Sequence, residues 1–216
     1  MAFKMLRNYF RYIFYTLVTS IGFYASAGSF DDYFIAIRND FSGTVNDLLN
    51  RGFDANTRDE HGQPGLTIAM QEHSLKAARA LLARPGVDVN ALNPQGESAL
   101  MMAALKGDLA GAQLLLEHGA KVNQTGWSPL LYAATGPEPD LVRLLLDRGA
   151  EIDAGSPNGS TPLMMAAQYG AEDSVTLLLE RGADPKRRNQ LDLSAADFAR
   201  KAGRDMLAKR LEQLTH

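Results

Sequence analysis

Side chains with the power to do chemistry are few in this chain, and their spacing is the first thing to test. The 216 residues include four histidines, His61, His73, His118 and His216, and no cysteine. Two histidines one helical turn apart with a glutamate between them would bind zinc and activate water. A serine in G-x-S-x-G would be a nucleophile, and a glycine-rich loop before a helix would cradle phosphate. None of these spacings occurs. The lack of cysteine removes disulfides, thiolate zinc sites and a cysteine nucleophile together. His118 stands before Gly119, in the last turn of an expected helix, where a cation favours the helix dipole and a structural role suffices. The basic run Lys186-Arg187-Arg188 could hold an anion or could be a solvated hairpin tip, and the tip is the simpler reading. The same solvated reading is given to Lys201, Arg204, Lys209 and Arg210. No catalytic, cofactor-binding or metal-binding residue is therefore assigned.

The elements that would position any site are helical. Over Gly159–Lys186, GSTPLMMAAQYGAEDSVTLLLERGADPK, Thr161 can cap a helix and Pro162 takes the first helical position, where a missing N–H is harmless. Leu163–Tyr169 is rich in Ala and Met, which permits close packing, and Gly170 is expected to be a left-handed terminus. A second helix follows through Val175–Arg181, ended by Gly182. Leu177, Leu178 and Leu179 cannot all face one way, so neighbours must cover part of this unit.

Weaker copies supply those neighbours. Gly62, Gly96, Gly126, Gly159 and Asp192 fall 34, 30, 33 and 33 residues apart. Thr161-Pro162-Leu163, the Ala166-Ala167 pair and the endings Leu115–Ala120, Leu145–Ala150 and Leu178–Ala183 resemble the ankyrin signature and period. The resemblance covers about Phe30–Leu214. It implies an all-α ankyrin repeat solenoid of helix–turn–helix units joined by short hairpins, with repeats over 30–58, 59–93, 94–125, 126–158 and 159–191 and capping helices over 192–216.

The copies differ in instructive ways. Repeat one lacks the Thr-Pro cap, as terminal repeats commonly do. Asp40 and His73 stand where Gly107 and Gly170 occur later, and both residue types tolerate left-handed backbone better than most. Repeat two has Gln63-Pro64-Gly65 for a cap and an extra residue near Pro85, while Ser98-Ala99 and Ser194-Ala195 keep a hydroxyl cap. Repeat four has only Gln124 and Thr125 between Asn123 and Gly126, so its hairpin is expected to be cut short beside Trp127. A stiff turn, Thr135–Pro139, follows. Where ankyrin repeats commonly have His after Pro-Leu, this chain has Thr67, Met101, Leu131 (Tyr132 in the other alignment) and Met164, which implies packing in place of hydrogen bonds. Leu207, Leu211 and Leu214 are spaced to share one face of a last helix.

The N-terminus reads as an export signal, residues 1–27. Lys4, Arg7 and Arg11 precede the apolar run Tyr12–Phe23, and Ala25-Ser26-Ala27 matches an A-x-A cleavage site. An uncleaved anchor is the alternative, the run being short for a span. An amphipathic first helix would need a charged or strongly polar face, and Tyr12–Phe23 has no charge. Cleavage would leave residues 28–216 with 19 basic and 25 acidic side chains, a balance that does not favour nucleic acid.

The function expected from the resemblance is a non-enzymatic, monomeric scaffold that binds a protein partner in the bacterial envelope or outside the cell. A membrane-tethered adaptor and an enzyme using the solenoid groove are the rivals. Ankyrin proteins bind through a concave surface of fingers and first helices, and the resemblance puts Trp127, Tyr169, Leu105, Lys106, Gln71, Glu72, Thr135 and Gln168 there. Trp127 and Tyr169 are the expected anchors, since such rings are enriched at binding hot spots. The other reading has Trp127 filling the gap of the shortened hairpin and Tyr169 packing on the next repeat.

Overall fold

A computed structural model describes residues 28–215, and the expected export signal lies outside them. Twelve helices are present among these residues: α1 (28–38), α2 (Ser42–Asn50), α3 (Gly65–Gln71), α4 (Leu75–Leu82), α5 (Ala99–Lys106), α6 (Leu109–Glu117), α7 (Pro129–Thr135), α8 (Pro139–Asp147), α9 (Pro162–Tyr169), α10 (Glu172–Glu180), α11 (Ala195–Lys201) and α12 (Asp205–Gln213). They pair in chain order into six helix–turn–helix units. The odd-numbered helices from α3 to α11 stack side by side in one layer, and α2, α4, α6, α8 and α10 stack in a second. This is the all-α solenoid that the repeating sequence implied.

Small side chains set the spacing of the first layer. Ala103, Ala104, Ala133, Ala134, Ala166 and Ala167 are all buried, which lets neighbouring first helices approach closely. Larger residues fill the space between the layers, with Leu81, Leu115, Leu145 and Leu178 fully buried at equivalent places of the second helices. In α10 the run of three leucines divides as its geometry requires: Leu177 and Leu178 are buried, and Leu179 is only partly covered. Met101, Leu131 and Met164 pack fully inside, and Leu131 is the residue in register. Thr67 is buried at the same place, and its hydroxyl has no hydrogen-bond partner among the described residues.

The first helices begin as their caps dictate. Ser98, Ser128, Thr161 and Ser194 each accept a hydrogen bond from the backbone N–H three residues on, satisfying a donor that the helix leaves free. Pro64 replaces the hydroxyl before α3 and makes no such bond. Asp40 and His73 do adopt left-handed backbone, at φ 57° and 56°. Gly170 does not. Its φ is −82°, and glycine is needed there for closeness, since a Cβ would lie 2.2 Å from the Ala134 carbonyl oxygen.

The closing unit also departs from expectation. Leu207 and Leu211 are buried, but Leu214 follows the end of α12 and is half exposed. Arg204 is not a solvated charge. Its Nη1 donates to the carbonyls of Ala166, Ala167 and Gly170 at 3.0–3.1 Å, which places a cation on the carbonyl oxygens at the C-terminal end of α9.

A row of side-chain amides ties the loops together on the second-helix side. The Asn56 amide donates to Gly86 O, and its oxygen accepts from Asp88 N. Asn90 does the same with Gly119 and Lys121, and Asn123 with Gly149 and Glu151. Asp153 continues the row as an acceptor from Asp184 N.

Candidate interaction surface

Four of the hairpin fingers share one construction. In each, a short polar residue starts the turn: Asp59, Asn93, Ser156 or Asn189. Its backbone carbonyl accepts from the residue three on, and its side chain accepts from the backbone N–H groups that follow. A residue with positive φ completes the turn, a glycine in three fingers and Asp192 in the last. Neighbouring fingers are laced to each other. Arg58 donates to Leu92 O at 2.7 Å, and Gln190 bonds Asn158 O and Pro157 O. The connection to α7 lacks such a turn, as the missing residues require. Gln124 reaches back to Gly96 O at 3.0 Å, and among the described residues no hydrogen bond joins the Asn93–Glu97 finger to the Ser156–Ser160 finger.

Trp127 stands at this interruption, 41% exposed. Its ring meets Tyr132 edge to face, with centroids 5.8 Å apart. Tyr132 in turn donates from its hydroxyl to Glu97 Oε1 at 2.7 Å. Burial, followed by the hydrogen bond to Glu97 and that carboxylate's charge, raises the Tyr132 pKa, so the phenol stays protonated and donating. The other Glu97 oxygen accepts from the Asn93 amide at 2.8 Å. A shallow cleft of about 400 Å³ opens nearby, lined by Leu92, Ser98, Lys121, Asn123 and Gln124 among others.

The remaining expected site residues form a row of their own. Gln71 and Glu72 end α3, Leu105 and Lys106 end α5, Thr135 ends α7, and Gln168 and Tyr169 end α9. Because these helices stack in order, their C-terminal ends lie along one edge. Tyr169, at 61%, and Leu105 are exposed apolar side chains of this row, and Glu72 and Lys106 are exposed beside them. Thr135 is turned inward, donating to Tyr132 O at 2.7 Å. Gln71 is half buried, with its amide against Met102 Sδ. Trp127 is not part of this row. It precedes α7 while Thr135 ends it, and the seven-residue helix between them is about 10 Å long at 1.5 Å per residue. The two rings therefore mark two strips of the surface, one at the fingers and one at the helix ends.

Glu97 and Tyr132 were not among the expected site residues. Their signal lies in register: four residues after the cap, other repeats carry Ile68, Met102, Met165 and Phe198, all buried and without a hydroxyl. A tyrosine there was the visible anomaly. Three of the four histidines lie among the described residues. His61 lies 3.5 Å from exposed Glu60, His73 lies 3.8 Å from Asp108, and His118 Nδ1 meets Leu114 O at 2.9 Å. Among the described residues no group of three His, Asp or Glu could hold a metal ion. Two members of the basic run bond to backbone: Arg187 donates to Asp153 O in the loop of the preceding repeat, and Arg188 to Asp192 O in its own finger.

A family model described as ankyrin repeats in three copies matches residues 33–126 and 121–189. The chain belongs to the ankyrin repeat family. It is 38% identical over 126 residues to a putative ankyrin repeat-containing protein of Treponema pallidum (strain Nichols), covering 56% of this chain and 42% of that protein. A putative ankyrin repeat protein of Rickettsia bellii (strain RML369-C) is 30% identical over 145 residues, covering 62% and 41%. Protein phosphatase 1 regulatory subunit 27 of Mus musculus is 38% identical over 76 residues, covering 34% and 49%. This ankyrin repeat chain thus spans less than half the length of each of these relatives. Among its described residues no helix is long and apolar enough to cross a membrane.

Proposed function

We propose that this ankyrin repeat chain is a non-enzymatic scaffold that works in the bacterial envelope or outside the cell, holding a protein partner against its fingers and first-helix ends. The observation that supports it most is the placement of large rings in water. Trp127 is 41% exposed and Tyr169 is 61% exposed, each beside an end of a first helix that stacks on its neighbours in order. Exposed aromatics on a preorganised surface suit binding, because little entropy remains to be lost when a partner covers them. Export rests on residues 1–27, through Lys4, Arg7, Arg11, the apolar run and Ala25-Ser26-Ala27. The tethered adaptor is the reading in which those residues are kept.

One fractionation tests both parts. Epitope-tagged chain is recovered from envelope fractions, its mass is measured, and the proteins held by wild type are compared with those held by a Trp127→Ala, Tyr169→Ala variant. The expected result is a soluble chain starting at Gly28 and a partner that the variant loses. An intact chain confined to membranes overturns the cleaved reading in favour of the tether. A partner retained in full by a folded variant overturns the surface.

A further inference from the structure

The notch left by the short finger has an electrostatic character of its own. Glu97 is half buried and carries a carboxylate satisfied by two neutral donors, Tyr132 Oη and Asn93 Nδ2. Among the described residues no cation pairs with it. Two other covered carboxylates in the array are met by a guanidinium, Asp59 by Arg38 at 2.8 Å and Asp197 by Arg200 at 3.0 Å, while Asp40 and Asp153 accept from backbone N–H groups; Glu97 differs from all four in having an exposed aromatic ring beside it. Beside Glu97 stand two rings in an edge-to-face corner, Tyr132 fixed by its hydrogen bond and Trp127 with much of its surface open. An aromatic face attracts a cation through its quadrupole, most strongly for Trp, and a nearby fixed carboxylate adds to that attraction.

We infer that this corner is a receptor for a cationic side chain, a lysine or arginine carried on a partner's loop that enters where the finger of repeat four is missing. The inference deepens the binding role proposed above and rests on it. The loop would supply what the short connection omits, and its charge would neutralise Glu97 while its alkyl stem or guanidinium plane covers Trp127. A basic loop fits because both features of the notch, open ring face and unpaired carboxylate, favour the same charge sign.

The chain carries its own reporter, since Trp127 is its one tryptophan. Emission from Trp127 is followed while acetyl-Gly-Arg-Gly-amide, acetyl-Gly-Lys-Gly-amide or acetyl-Gly-Glu-Gly-amide is added through the millimolar range. The expected result is a saturable change with the basic peptides and none with the acidic one. Glu97→Gln keeps an oxygen for Tyr132 while removing the charge, and should weaken the arginine peptide about tenfold. Tyr132→Phe should loosen the corner and weaken it as well. Equal response to acidic and basic peptides, or an unchanged response in a folded Glu97→Gln, overturns the inference. A partner that depends on Trp127 and Tyr169 but binds Glu97→Gln as well as wild type would overturn the cation receptor while leaving the scaffold reading standing.

Discussion

Two rows of loop contacts run along the array, and only one of them is continuous. On the second-helix side Asn56, Asn90 and Asn123 each reach the next loop with one donor and one acceptor, and Asp153 carries the row on. On the other side the fingers are laced in two pairs with a break at repeat four. The helices beneath take no notice of the break, since α5, α7 and α9 pack in sequence as their neighbours do. The stack and the amide row therefore hold the solenoid. The finger row can lose a member, and the one variation in it coincides with Trp127, Tyr132 and Glu97.

If the stack carries the stability, its core leucines are where the largest loss should appear. Leu145 and Leu178 are fully buried in α8 and α10. Each cut to Ala is expected to lose about 2–5 kcal/mol in denaturant unfolding, and the whole array should weaken because every repeat leans on the next. A change under about 0.5 kcal/mol in both would break the comparison at its base.

The amide row comes next. Asn123→Ala removes both the bond to Gly149 O and the bond from Glu151 N, and should lose about 1–2 kcal/mol. Gln124→Ala, one residue on, removes a single part-buried bond to Gly96 O in place of two and should lose less, about 0.5 kcal/mol. Equal losses would show that the fingers matter to the fold as much as the amides do.

The stack was legible in the sequence because it depends on what repeats: a hydroxyl cap, paired alanines, a Leu-Leu ending and a period near 33 residues. The asparagine row recurs at nearly the same spacing, yet nothing in an exposed polar loop residue says which neighbour it will meet. Gly170 shows a subtler limit. Glycine after a helix ordinarily signals left-handed backbone, but here the preceding repeat's Ala134 carbonyl comes too close for any side chain, a fact of tertiary packing that no local rule contains. Arg204 was legible only as a charge, since its three carbonyl partners lie more than 30 residues away. Trp127 could be placed beside a shortened hairpin by counting residues, whereas its link through Tyr132 to Glu97 needed the fold.

The end of the array sharpens the comparison through pH. Ser194 caps α11, and Asp197 answers by accepting from Ser194 Oγ and Ser194 N at 2.7 and 2.9 Å. The side-chain and backbone bonds from Ser194 hold the Asp197 carboxyl below its usual pKa, with Arg200 adding in the same direction. A group depressed in the folded state adds stability that is present above its unfolded pKa and lost as pH falls through the folded one. Unfolding followed from pH 7 down through about pH 3 should therefore show Asp197→Asn converging on wild type at the acid end. Ser194→Ala should lose about 1 kcal/mol at neutral pH. A constant gap between Asp197→Asn and wild type at every pH would mean that shape and not charge sets this cap.

The smallest effects on stability are expected where the finger row breaks, and there the two rings should part company. Tyr169 is 61% exposed at the end of α9, so Tyr169→Ala should move thermal unfolding hardly at all, within about 0.5 kcal/mol. Trp127 has a real contact to lose. An edge-to-face pair adds roughly 0.5–1.5 kcal/mol beyond area, and with 41% of the residue already in water Trp127→Ala should fall at the low end of that range. The structure thus gives Trp127 a share in both earlier readings, with its ring against Tyr132 and 41% of the residue in water. Removing Tyr132's hydroxyl separates them. Tyr132→Phe keeps the ring against Trp127 but frees Glu97 from one of its two donors, so the melting temperature should change little while the Trp127 emission shifts with the loosened corner. If Trp127→Ala instead lowers stability by as much as Asn123→Ala, the ring is filling the missing finger's place as scaffold, and the broken row is structurally mended where it now looks open for a partner.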